Sequence, residues 1–177
     1  MKIKQLFFFI IFCCYGCTKV QPRRPIDFKS SSTILKETLK KSIQLNRIED
    51  DKITALIKKD TTNSYQVSPN GFWYAYINKK EAIVQTPKLG DEVTFEYNIT
   101  DLEGNIIYSK EELGIMKYRI DKEDFIFALQ LGIKLMKVGE TIIFVIPSYN
   151  AFGISGDGEK IGINQSIKST VTLLNIK

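Results

Sequence analysis

The chain has 177 residues, 44% of them hydrophobic, with 25 Lys or Arg against 20 Asp or Glu and no histidine. That length accommodates one ordinary globular core plus an appendage, and it falls short of two full domains. The missing imidazole excludes Ser-His-Asp and Cys-His nucleophilic sites, HExxH metal sites and a histidine proton shuttle together.

The N-terminus reads MKIKQLFFFIIFCCYGC. Lys2 and Lys4 precede an apolar run from Leu6 to Cys14 that is followed by the small residue Gly16, which is the order of a signal peptide ending at residue 16. The run is too short to span a bilayer as a stable anchor. Gly16 followed by Cys17 resembles a bacterial lipobox, in which the thiol is diacylated and the new amine acylated. Cys14 replaces the usual Leu of that motif. The expectation is lipidation at Cys17; a plain secretory signal and a buried tail helix are the alternatives. Cys13 and Cys14 would leave with the signal, so Cys17 remains alone and no intramolecular disulfide forms. Such a protein is held on a membrane of the cell envelope, facing the periplasm.

Residues 17–32 carry two prolines and three serines without apolar period, as a tether does. Thr33 then reads as an N-cap for a helical arm over 33–64. Leu35, Leu39 and Ile43 share one face. A break in period near Asn46 precedes Ile53, Leu56 and Ile57, with Asp50 and Asp51 early and Lys58 and Lys59 late in this second stretch. Two amphipathic helices, or one kinked helix, are expected. Their apolar stripes need partners, either the following domain or a second copy of the chain. Tether and arm together, Thr18 to Ser64, hold eleven basic against six acidic residues, whereas Tyr65 to Lys177 holds twelve against fourteen. With the folded part slightly acidic, a nucleic-acid partner is not indicated. The arm's charge fits a solvated helix surface or attraction to anionic lipid headgroups.

The domain is expected over 65–177. Ser68-Pro69-Asn70-Gly71 is turn chemistry, and Phe72, Trp73, Tyr74 and Tyr76 form an aromatic first strand. Asp91 to Thr100 and Asn105 to Ser109 read as strands joined by a turn at Glu103-Gly104, and Ile115 to Asp121 as another. Phe125, Ile126, Leu129 and Ile133 recur at helical spacing. Thr141 to Ile146 is a buried strand, opened by the turn at Val138-Gly139 and closed by Pro147. Pro147 to Gln165 is a loop with four glycines, and Ser169 to Ile176 the closing strand. Antiparallel-type connections with one helix predict an α+β fold: a curved antiparallel sheet wrapped around a short helix, with the helical arm in front. The pocket lies between helix and sheet, with the glycine loop as its flap. The short acidic groups at Asp121, Glu123 and Asp124, and at Asp157 and Glu159, lack a coordinating loop pattern, so no metal is expected.

The helix, then MKVGE, then an apolar strand ending in Ile146-Pro147, then Ala151-Phe152-Gly153 resembles the core of the FKBP-type peptidyl-prolyl isomerases. GDEVTFEYNITDLEGNIIYS and KSTVTLLNIK extend the resemblance over Gly90 to Lys177. Together with the N-terminal features, the chain is similar to the lipoproteins of this family associated with bacterial gliding motility. The resemblance implies proline-containing exported polypeptides as substrates, no cofactor, and a homodimer through N-terminal helices as one possible assembly. Carried over residue by residue, it implies Tyr97 as the inward strand tyrosine, Ile126 as the backbone donor to the substrate carbonyl, Phe152 as the wall, and Phe125 and Ile161 as pocket residues. Departures fall at Ile107 and Met116 (usually Phe), Tyr108 (usually Asp), Leu129 (usually Trp), Phe152 (usually Tyr) and Ser169 (usually Phe). They imply a pocket that receives proline without high turnover or tight macrolide binding, so a binding module with a weakened site is the alternative to an enzyme. From periodicity alone, the same side chains read equally well as core.

Prolyl isomerisation suits a chain without histidine. The barrier of about 18–20 kcal/mol comes from amide resonance, which makes the planar amide more polar than the twisted one. A dry apolar pocket favours the twisted species, and backbone donors fix the carbonyl.

Overall fold

A computed structural model describes residues 31–81 and 85–177. The expected signal peptide, the expected lipidation at Cys17 and nearly all of the expected tether lie outside the described residues. Residues 40–177 form one compact unit.

Helix α1 spans Ser31–Lys59 without interruption. The expected break near Asn46 is absent, because neither Gly nor Pro lies in this stretch and the polar residues there face solvent without leaving the helical ladder. Thr33 lies inside the first turn and is not the N-cap. The apolar stripe divides into two parts. Leu35, Leu39 and Ile43 are more than half exposed, whereas Ile53 is fully buried and Leu56 and Ile57 are half-buried. The helix stops at Asp60, whose carboxylate takes over chain direction by accepting from the N–H groups of Thr62 and Asn63, the Asn63 amide and the Tyr65 hydroxyl. The Asn63 amide bond leads the causes that hold the Asp60 carboxyl below its ordinary value, and the N–H of Thr62 adds to it.

Among the described residues eight strands follow: β1 (Gln66–Val67), β2 (Trp73–Asn78), β3 (Glu92–Tyr97), β4 (Ile99–Thr100), β5 (Ile106–Tyr108), β6 (Ile115–Arg119), β7 (Thr141–Ile146) and β8 (Ile167–Ile176). Helix α2 (Lys110–Leu113) lies between β5 and β6, and α3 (Phe127–Ile133) between β6 and β7. The strands form one antiparallel sheet in the order β1-β2-β7-β8-β3-β6, and β4 pairs with both β5 and β8. Register shifts in the β2–β7 and β3–β8 pairs add the local twist that curves the sheet.

The sheet buries one face, and the pattern follows from its period of two. Val93, Phe95, Tyr97 and Ile99 point inward in succession, as do Ile142, Phe144 and Ile146. The strand expected over Asp91 to Thr100 is split at Asn98. There the side chain accepts from the Thr170 N–H at 2.9 Å, while its own carbonyl accepts the Ser169 hydroxyl at 2.8 Å. Buried Ser169 is thus a sheet residue and not a pocket wall. Helix α3 is shorter than its apolar spacing implied, starting after Phe125 and Ile126. It lies close against β7 because Gly132 has no side chain: a Cβ there would meet the Phe144 ring at 2.4 Å.

Candidate active site

Ile126 precedes α3 with φ −55° and ψ 118°, an extended conformation. Its carbonyl accepts the first helical bond from Gln130, and its N–H meets no acceptor among the described residues. The preceding carbonyl, that of Phe125, is tied down by the Gln130 side-chain amide at 2.7 Å. The helix start thus fixes two consecutive residues by their carbonyls and leaves one donor available.

These residues border a cavity of about 440 Å³, walled by Tyr97, Ile99, Tyr108, Leu113, Asp124, Phe125, Ile126, Ala151, Phe152 and Asp157. The floor is aromatic. The Phe125 ring stands 5.6 Å from Phe95, 5.5 Å from Tyr97 and 5.7 Å from Tyr118, centroid to centroid, in tilted and edge-on arrangements. Such contacts hold a ring in one orientation. Tyr97 is 6% exposed, and burial raises its hydroxyl above the ordinary tyrosine value. It is a neutral group at physiological pH.

Helix α3 and strand β3 face the loop between β7 and β8. The 3-10 turn Ser148–Asn150 opens this loop, and Ala151 and Phe152 follow it into the wall. Farther on, the loop crosses to β5 and α2. Tyr108 donates its hydroxyl to Asp157 at 2.5 Å, Lys160 sits over the Tyr108 ring at 4.6 Å, and Lys160 pairs with Glu112. The Asp157 hydrogen bond leads the causes that push the Tyr108 hydroxyl up to about 12. Desolvation acts to raise the Asp157 carboxyl. The Tyr108 hydroxyl and the N–H groups of Glu159 and Ile161 outweigh it and hold that carboxyl below its ordinary value. Gly156 makes the crossing possible, since it has φ +66° and a Cβ there would lie 2.3 Å from the Ile161 carbonyl.

Of the residues singled out from the sequence, Tyr97, Tyr108, Phe125, Ile126 and Phe152 come together around this cavity. Leu129, Ile161, Ile107 and Met116 stand elsewhere. Leu129 is fully buried in α3 within the main core, and Ile161 is buried in the core beneath the loop. Ile107 and Met116 pack, half-buried, against that core without reaching the cavity wall. Leu129 lies on the buried face of α3 with Ala128, Gly132 and Ile133, which accounts for its place in the core. The family register did not indicate Ile99, Leu113, Asp124 and Asp157. Ile99 was legible as the next inward position after Tyr97. Asp157 is brought in only by the loop's path.

Among the described residues no helix is long and apolar enough to cross a membrane. A model of the FKBP-type peptidyl-prolyl cis-trans isomerase family matches residues 84–174. The crystal structure of a peptidyl-prolyl cis-trans isomerase from Pseudomonas syringae pv. tomato is similar at 18% identity and a TM-score of 0.60, over 77% of this chain and 96% of that one. FkpA from Escherichia coli is similar at 21% identity and a TM-score of 0.59, over 100% of this chain and 83% of that one. At such identities the two structures speak for the fold, while the family match spans more than half of the sequence and the whole cavity wall. The chain belongs to the FKBP-type peptidyl-prolyl cis-trans isomerases.

Proposed function

We propose that this isomerase works on exported polypeptides from a lipid anchor at Cys17, in the cell envelope and facing the periplasm, and that it serves gliding motility. The observation that carries the enzymatic part is the cavity itself. Its floor of Phe125 and Tyr97 and its Phe152 wall are apolar, and the unengaged N–H of Ile126 stands at its edge. A prolyl ring enters the aromatic floor, and the N–H holds the carbonyl before the proline. The twisted amide is less polar than the planar one, so a low-dielectric wall stabilises it relative to the ground state.

Turnover is modest in this reading. Phe152 has no hydroxyl to donate, and the Tyr108 hydroxyl is committed to Asp157. Tyr97 is left without a carboxylate partner. The deciding experiment is a proline-peptide isomerisation assay on the mature chain, with acceleration weak and favoured by a bulky apolar residue before the proline. No acceleration at high protein concentration would overturn it and leave a binding module.

The N-terminal features support the anchor and the export, and the resemblance to gliding-motility lipoproteins supports that setting. The exposed Leu35, Leu39 and Ile43 support a homodimer through the arm helices.

A further inference from the structure

Glu49 lies in the second half of α1, far in sequence from the loop that walls the cavity. Its carboxylate nevertheless takes three hydrogen bonds from that loop's two ends. Oε1 accepts from the backbone N–H of Ser148 at 2.7 Å, and Oε2 from the Ser148 hydroxyl at 2.9 Å. The Ser166 hydroxyl also donates to Oε1. Ser148 opens the connection between β7 and β8 and Ser166 closes it, next to the paired residues Ile146 and Ile167. One carboxylate therefore clamps both stems of the loop. The neighbouring Asp50 accepts the Tyr149 hydroxyl at 2.8 Å; together with burial, that bond raises the Tyr149 hydroxyl above its ordinary value.

Everything the loop contributes to the cavity rides between those stems: Ala151, Phe152 and Asp157. Apart from one 3-10 turn, the loop has no regular structure of its own, so its placement depends on a few ties. The first stem is held further by the Asn150 amide, which donates to the carbonyls of Asn70 and Gly71. The tip is held by Tyr108 and Asp157. Bonds to an ionised acceptor are stronger than neutral ones, and Ser148 is buried, so loss of the carboxylate leaves an N–H and a hydroxyl unpaired away from water. Ile53 is fully buried and Leu56 and Ile57 half-buried in the same part of α1, so its seating does not rest on Glu49 alone.

We propose that Glu49 is a positioning residue for the isomerase site, and that through it helix α1 sets the distance between the Phe152 wall and the aromatic floor. The proposal rests on the isomerase activity only for its kinetic readout.

The test uses the full-length chain with Glu49→Ala, Glu49→Gln and the pair Ser148→Ala with Ser166→Ala. KM and kcat on a proline peptide are measured beside amide hydrogen exchange. Glu49→Ala is expected to raise KM several-fold with kcat nearly kept, and to speed exchange across residues 147–166 while β3 and β8 stay protected. Glu49→Gln, which retains an oxygen for the Ser148 N–H, restores most of both readouts. The serine pair, which keeps the backbone N–H bond of residue 148, reproduces part of the Glu49→Ala effect and adds little to it in combination. Unchanged KM and loop exchange in Glu49→Ala would overturn the proposal, as would faster exchange spread evenly over all strands. If the unaltered protein does not isomerise, the proposed function falls, and loop exchange alone decides the role of Glu49.

Discussion

The Tyr108 hydroxyl donates to the Asp157 carboxylate at 2.5 Å, joining the strand side of the cavity to the loop that covers it. This bond closes one side of the cavity rim.

Tyr108→Phe should speed exchange near Asp157 and leave the melting temperature almost unchanged, because both groups are near solvent and the freed carboxylate rehydrates. The pH dependence has a definite sign. Asp157 has a lowered carboxyl value, so its bonds are at full strength above the ordinary 3.8 and are lost as pH falls through the lower folded value. Tyr108 is raised from 10.0 to about 12, so its contribution is complete below 10.0 and is lost as pH rises through about 12. Loop protection should therefore be flat between about pH 5 and pH 9. A step inside that window would contradict the assignment.

Phe152→Tyr should raise kcat/KM modestly by adding a donor to the wall, within the roughly 0.5–1.5 kcal/mol of a neutral hydrogen bond. Ile126→Asp should abolish activity by placing a charge on the dry edge of the cavity. Circular dichroism of the aspartate variant serves as the folding control. Lower activity in Phe152→Tyr would show that the hydroxyl is not accommodated.

Gly132→Ala should destabilise the domain by about 1–3 kcal/mol, the usual range for overpacking, since the new methyl meets the Phe144 ring at 2.4 Å. A urea midpoint equal to that of the unaltered chain would mean that α3 and β7 separate freely.

The two halves of α1 should respond differently. Ile53→Ala is expected to cost about 2–5 kcal/mol, as for a fully buried aliphatic side chain. Leu39→Ala, at a site 53% exposed, should change stability by no more than about 0.5 kcal/mol. Light scattering on Leu35→Ser with Leu39→Ser then reads the assembly, and a mass equal to that of the unaltered protein would remove the proposed homodimer contact.

Cys17→Ser should release the protein from membranes. Retention in the membrane fraction after a salt wash would mean that lipidation is not what holds it.

The strands were legible in the residues because alternation is local. Val93, Phe95, Tyr97 and Ile99 announce an inward face, and Thr141 to Ile146 announces a buried strand whatever surrounds it. Even there, Asn98 interrupts the hydrogen-bond ladder without disturbing the alternation, since its side-chain oxygen, in place of a backbone carbonyl, accepts the Thr170 N–H of β8. Cavity membership was less legible. Tyr97, Phe125, Ile126 and Phe152 followed from family register, but Leu129 and Ile161, equally apolar, stand in the core. Helix α1 shows the same division. Its amphipathic stripe could be read directly, while the burial of Ile53 and exposure of Leu39 depend on where the helix meets the domain. The chain's local pattern determines which residues shun water and with what period. Only the tertiary structure decides which of them are sealed together, which are left around an opening, and that Glu49 meets Ser148 and Ser166, because those contacts join segments that no sequence period connects.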